Sequence, residues 1–181
     1  IDGEAEQDQS GFSVSLSSDG SIVAIGARFN DGNGDTSGHV RIYQNDNGTW
    51  NKIGEDIDGE VHGDRSGYSV SLSSDGSFVA IGAYANDGNG NDSGHVRIYQ
   101  YTNDSWTQIG QDIDGEAVGD QSGYSVSLSS DGSIVAIGSA ENNENGNDSG
   151  HVRIYQFDSD REAWSQLGQD IDGEAENDRS G

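Results

Sequence analysis

Cysteine, proline and methionine are absent from the sequence, and lysine occurs once, at Lys52. Without cysteine the chain forms no disulfide and offers no thiolate ligand, so cysteine-based zinc modules and redox sites are excluded. Without proline it lacks the usual blocker of exposed strand edges. Basic residues number 8 against 33 acidic ones, for a net charge of -25. Nucleic acids and anionic membrane surfaces are gripped through clustered Lys and Arg, so neither is an expected partner. Such an acidic chain favours cations and tolerates high salt, where its self-repulsion is screened. No stretch approaches the roughly 20 apolar residues that span a bilayer, and no membrane insertion is expected. The missing initiator methionine and the lack of a leader pattern are expected of a processed chain or of part of a longer repeat array.

Only 30% of the residues are hydrophobic, a proportion compatible with disorder if they were scattered. They are instead gathered in short β-rich runs between Gly, Asn, Asp and Ser, the pattern of an all-β fold. These runs repeat. The tetrapeptide IDGE begins at Ile1, Ile57, Ile113 and Ile171, and the first two copies agree at 39 of 56 positions. The units are therefore 1–56, 57–112 and 113–170, with the start of a fourth at 171–181. Two extra residues in the third copy lie between Gln156 and Trp164, as loop insertions do.

Each unit reads as four antiparallel strands. In the second, Tyr68, Val70 and Leu72 alternate with Ser69, Ser71 and Ser73, the period of two of a half-buried strand. Asp75-Gly76 closes a tight hairpin. Phe78 to Ala83 is apolar on both faces, as in a strand covered from two sides. After the loop NDGNGNDSG comes a third strand with Val96 and Ile98 on one face, and then a fourth with Trp106 and Ile109. Strictly repeated four-stranded sheets with a doubly covered middle strand predict β-propeller blades. A ring closes with typically four to eight blades and three are present, so further repeats or self-association are expected. IDGE is then the link from the outermost strand of one blade to the innermost strand of the next.

The units resemble FG-GAP repeats, the blades of the integrin α-subunit propeller. The family's Phe-Gly-x-Ser-Val start is matched by Ser10-Gly11-Phe12-Ser13-Val14, by Ser66-Gly67-Tyr68-Ser69-Val70 and by Ser122-Gly123-Tyr124-Ser125-Val126, with Ser in place of the leading Phe. Its Gly-Ala-Pro is matched without the proline at Gly26-Ala27, Gly82-Ala83 and Gly138-Ser139. Its Gly-x-Val-x-Ile-Tyr strand is matched by Gly38 to Tyr43, Gly94 to Tyr99 and Gly150 to Tyr155. The family's calcium loop falls between the first two strands, where this chain has only SSDGS, so that site does not carry over. The resemblance implies an extracellular, secreted propeller with roles in adhesion or recognition.

Hard cations take six to eight oxygens, and alternate acidic or amide side chains in a tight loop converge on one. The calcium candidates are Asp31, Asn33 and Asp35, then Asp87, Asn89, Asn91 and Asp92, then Asn143, Asn145, Asn147 and Asp148. The competing reading is that Asn-Gly and Asp-Gly pairs are common turn formers. An EF-hand is excluded, because its twelfth position is Ile42. A second acidic set repeats in the links: Asp2, Glu4 and Asp8; Asp58, Glu60 and Asp64; Asp114, Glu116 and Asp120. These serve a metal or pair with arginine. Arg41, Arg97 and Arg153 are expected to hold acidic partners on a neighbouring strand or blade. His39, His95 and His151 recur once per unit, too sparse for a transition-metal site unless blades converge, and structural hydrogen bonds are expected of them. Trp50, Trp106 and Trp164 are expected to pack in the core or on the outer strand rather than against sugars. Sequons at Asn47, Asn91, Asn103 and Asn147 are glycosylation candidates in exposed loops.

Catalysis needs one asymmetric constellation, whereas nearly every polar residue of interest here occurs three times. No enzymatic activity is expected. Two functions remain: an extracellular structural or adhesive repeat that associates blade to blade, and a calcium-dependent module binding glycan or protein through loops of one propeller face.

Overall fold

A computed structural model describes residues 1–181. The chain is all-β, as expected, and forms three sheets of antiparallel strands. In the first, β1 (Ser13–Leu16), β2 (Ile22–Ala27), β3 (His39–Asp46) and β4 (Thr49–Lys52) lie in that order, and the two-residue β5 (Ile57–Asp58) pairs with the start of β3. The second repeats the plan with β6 (Ser69–Leu72), β7 (Phe78–Ala83), β8 (His95–Thr102), β9 (Ser105–Gln108) and β10 (Ile113–Asp114). The third has β11 (Ser125–Leu128), β12 (Ile134–Ser139), β13 (His151–Asp158), β14 (Ala163–Gln166) and β15 (Ile171–Asp172). Registers are the same in all three: Ser13 faces Gly26, Ser69 faces Gly82 and Ser125 faces Gly138.

The hairpin between the first two strands is fixed by its own side chains. Ser17 Oγ and the Ser21 amide both donate to Asp19 Oδ1, at 2.7 and 2.9 Å. The same arrangement recurs at Asp75 and Asp131.

IDGE does more than link. Ile57 and Asp58 pair with Val40 and His39, so they complete the sheet already begun rather than leading into the next. Burial is the reason: Ile57 is the last apolar residue of that sheet's face and is 5% exposed. The third letter is fixed by space, since a Cβ on Gly59 would stand 2.0 Å from the Ser37 carbonyl oxygen. The sheets thus run over 13–58, 69–114 and 125–172, each reaching two residues into the next sequence unit.

The sheets stack face to face. Ala24, Val40, Ile42 and Ile57 of the first pack on Leu72, Val79 and Ile81 of the second. Ala80, Val96, Ile98 and Ile113 of the second pack on Val135, Ile137 and Trp164 of the third. Fully burying such a side chain contributes roughly 1.5–3 kcal/mol, so the interfaces between sheets are the hydrophobic core. The middle strand is covered on both sides only in the central sheet: β7 is buried from Val79 to Ala83, while β2 and β12 keep half-buried positions. The cause is neighbour count, because the outer sheets have one neighbour each.

Candidate functional site

Adjacent blades meet closely where the third strand begins. Gly67 passes over Gly26 so tightly that a Cβ on Gly26 would lie 2.1 Å from the Gly67 carbonyl oxygen, and Ser13 Oγ donates to that same oxygen at 2.7 Å. The Ser-Gly start and the Gly-Ala motif are thus two halves of one contact. The next pair repeats it with Ser69 donating to Gly123 O at 2.8 Å.

Beside this contact, arginine holds the preceding link, as expected. Arg41, Arg97 and Arg153 each donate from Nη2 to a link carbonyl, of Asp2, Asp58 and Asp114, at 2.9 Å. Each Nη1 faces a link glutamate: Glu4 at 3.2 Å, Glu60 at 3.6 Å and Glu116 at 3.3 Å. The third acidic residue of each link turns inward instead. Buried Asp64 accepts the Glu60 and Val61 amides and, at its other oxygen, the Asn86 amide group. Asp8 takes the Ala5 amide and Asn30, and Asp120 takes the Ala117 amide.

The histidines depart from expectation. His151 is fully buried, and neither of its ring nitrogens has a hydrogen-bond partner. The carboxylate oxygen Asp170 Oδ2 faces its Nδ1 at 3.7 Å, beyond hydrogen-bond range. His39 and His95 stand likewise, facing carboxylates at 3.8 to 4.0 Å. The expected structural hydrogen bond is not made, because what the fold brings opposite each ring is a carboxylate set just out of contact. Burial pushes the His39 ring below its ordinary pKa, and burial with Arg97 alongside lowers His95 to about 4. Burial also raises Glu60.

The acidic loops use their side chains within and between blades. Asp31 Oδ1 accepts the Thr36 amide, Asp87 Oδ1 the Asp92 amide and Asn143 Oδ1 the Asp148 amide, closing each loop on itself. Asn33, Asn89 and Asn145 donate across to the following link, at Gly59 O, Gly115 O and Gly173 O. Asn91 donates to Asp92, while exposed Asp35 faces His62 through its backbone oxygen. Asn147 is exposed, as are Asn47, Asn91 and Asn103, the other sequon residues. Trp106 and Trp164 pack between blades, each donating its indole N–H at 3.0 Å to a carbonyl of the preceding blade, Ile53 O and Ile109 O. Trp50, with no blade before it, is half-buried.

Sequence reasoning missed the serines of the innermost strands. Ser71, which in sequence only alternates with the apolar face, accepts the Leu128 amide at 2.9 Å, and its equivalent Ser15 accepts the Leu72 amide at 3.0 Å, so these hydroxyls join neighbouring blades. Their identical place in every unit was the available signal.

Among solved structures the chain is similar to a candidate 6-phosphogluconolactonase from Bacteroides fragilis (15% identity, TM-score 0.59, covering 88% of this chain and 38% of that one). It is also similar to the periplasmic gluconolactonase of Pseudomonas aeruginosa (16% identity, TM-score 0.53, covering 86% and 44%). These likenesses show the β-propeller fold, and the chain spans less than half the length of either protein. No curated protein matches the chain in sequence. The FG-GAP repeat profile matches residues 2–43 and 57–99, two successive units. Those two stretches are FG-GAP-type repeats, and the third sheet is built on the same register as theirs.

Proposed function

We propose that this chain is a non-enzymatic structural repeat module, extracellular and adhesive in role, that associates through the faces of its end blades. One observation carries the reading: the two end faces are the two halves of an interface the chain already makes twice. Val14 and Leu16 on the first sheet are 62% and 58% exposed, while their counterparts Val70 and Leu72 are half-buried and 7% exposed against a neighbour. On the third sheet Ile171 is 53% exposed, while its counterparts Ile57 and Ile113 are 5% and 3% exposed. The faces are complementary, so the contact is head-to-tail and propagates or closes a ring. Its occupant is another blade of this kind, in a second copy or in the same polypeptide.

Light scattering of the chain over a range of concentrations tests this. The expected result is mass that rises with concentration and is lost in Leu16→Asp and in Leu167→Asp; Leu167 is 47% exposed on the third sheet, where its equivalents Ile53 and Ile109 pack against the next blade, so the two changes spoil opposite faces. Mixing the two variants should restore a heterodimer and nothing larger, because each keeps one intact face. A monomer at every concentration would refute the reading.

The second reading, a calcium-dependent module for glycan or protein, is supported by the exposed carboxylates of Asp31, Asp35 and Asp87 on the inter-blade loops. It predicts saturable retention on a glycan surface that chelator abolishes, with no change in mass.

A further inference from the structure

We propose that each blade carries a site for a divalent transition metal of the zinc class, formed by the Nδ1 atom of the buried histidine opening its third strand, a glutamate from the preceding link and an aspartate from the segment after the fourth strand. The sets are His39 with Glu4 and Asp56, His95 with Glu60 and Asp112, and His151 with Glu116, Asp170 and Glu144. Within each set the ligand atoms lie within 4.8 Å of one another.

The imidazole of His151 is buried and unpaired at both nitrogens. A buried polar group without a partner costs on the order of 1–3 kcal/mol, and His151 has two such nitrogens at no exposure. Coordination at Nδ1 would satisfy one of them.

Every carboxylate of the three sets except Glu144 is held at one oxygen by an outer donor. Arg41 engages Glu4 Oε1, leaving Oε2 toward His39 at 3.9 Å. Arg97 engages Glu60 Oε1, leaving Oε2 toward His95 at 3.8 Å. Each aspartate is anchored in the same way by the residue four before it. Lys52 Nζ donates to Asp56 Oδ1 at 2.7 Å, Gln108 to Asp112 Oδ1 at 2.6 Å, and Gln166 to Asp170 Oδ1. In all three, Oδ2 is the atom facing the histidine, at 4.0, 3.9 and 3.7 Å. One oxygen oriented by an outer donor and the other presented to a shared point is the outer-shell arrangement of metal sites.

Dimensions and charge agree. Zinc bonds of about 2.0–2.2 Å place neighbouring ligand atoms roughly 3.3–3.5 Å apart, so the histidine–carboxylate pairs at 3.7 to 4.0 Å must close by a few tenths of an ångström and the widest pairs, up to 4.8 Å apart, by more. In the second and third blades two and three carboxylates against one arginine leave net negative charge for a dication to offset; in the first, Arg41 and Lys52 balance Glu4 and Asp56, and Asp58 beside His39 supplies the excess. A nitrogen donor favours zinc-class ions over calcium or magnesium. Asp56 and Asp58 also line a cleft of about 190 Å³ shared with Tyr99 and Trp106 of the next blade.

The test is titration of the chelator-treated chain with Zn2+, read by calorimetry and by histidine side-chain 15N shifts. Three equivalents should bind, moving Nδ1 of His39, His95 and His151, with exposed His62 as the internal reference. His151→Gln should reduce the count to two. Asp112→Asn, which keeps the shape, should weaken the His95 site at least tenfold and leave the other two; circular dichroism confirms that each variant folds. Zinc that shifts only His62, a count indifferent to both variants, or equal histidine shifts with Ca2+ would overturn the proposal.

Discussion

Gly82 shows how much of this fold is decided by single atoms. Its absent Cβ would stand 2.1 Å from the Gly123 carbonyl oxygen and 2.3 Å from Ser69 Oγ, and the first of these is backbone with little room to yield. Gly82→Ala must therefore push two blades apart, at a cost of roughly 1–3 kcal/mol or more. Gly48→Ala meets no atom within 4 Å and bears only the strain of its positive φ. Urea midpoints of the two variants should separate clearly, and equal shifts would show that the blades do not touch there. A pH effect also belongs at this scale. Asp19 and Asp131 are each lowered to about 2, Asp19 chiefly by the Ser21 amide and Asp131 chiefly by the Ser129 hydroxyl. A folded pKa below the unfolded one stabilises the fold above the ordinary aspartate range and loses that contribution as pH falls toward about 2. Carboxyl 13C titration should give midpoints near 2 for both, against the ordinary 3.9 if the serine clamps are open in solution. The metal candidates were hidden at this same scale. Glu4, His39 and Asp56 are separated by 35 and 17 residues, and the spacing recurs as Glu60, His95 and Asp112. The pairing of β5 with β3 brings Asp56 beside His39, and Arg41, bonded to the Asp2 carbonyl and paired with Glu4, brings the glutamate there.

Individual strands were largely legible, because period-two alternation and Asp-Gly turns are local signals. Their edges were not. The start of β5 reads as a linker in sequence, since two residues cannot show a period, and its assignment depends on the distant partner Val40. The same limit hid the roles of Ser15 and Ser71, whose partners lie on the next blade. The outermost strands carry a testable version of this coupling. Trp106 lies on β9 and donates to Ile53 O of the blade before it, while its ring packs on that blade's core. Trp106→Phe keeps most of the packing and gives up the hydrogen bond, so about 0.5–1.5 kcal/mol should be lost. Trp106→Ala gives up both, and about 3–5 kcal/mol is expected. If the alanine variant cost no more than the phenylalanine one in chemical denaturation, the indole would not be part of the interface.

At the scale of the molecule, two opposing terms set stability. Stacking buries two compact clusters between three sheets, while a net charge of -25 repels across the same small volume. Burial is nearly indifferent to moderate salt, whereas repulsion between exposed carboxylates is not. The Debye length shortens from about 30 Å at 0.01 M to about 8 Å at 0.15 M, so long-range repulsion between blades is the first contribution to vanish. Paired groups such as Arg97 and Glu60, held at 3.6 Å with the arginine buried, are screened far less. The melting temperature should therefore rise with sodium chloride, most steeply below about 0.15 M, by about 2–4 °C for each kcal/mol of repulsion removed. Association through the end faces should strengthen over the same range, because it brings like-charged copies together. A melting temperature that is flat or falls with salt would mean that attractive ion pairs, rather than net repulsion, dominate the electrostatics of the stack.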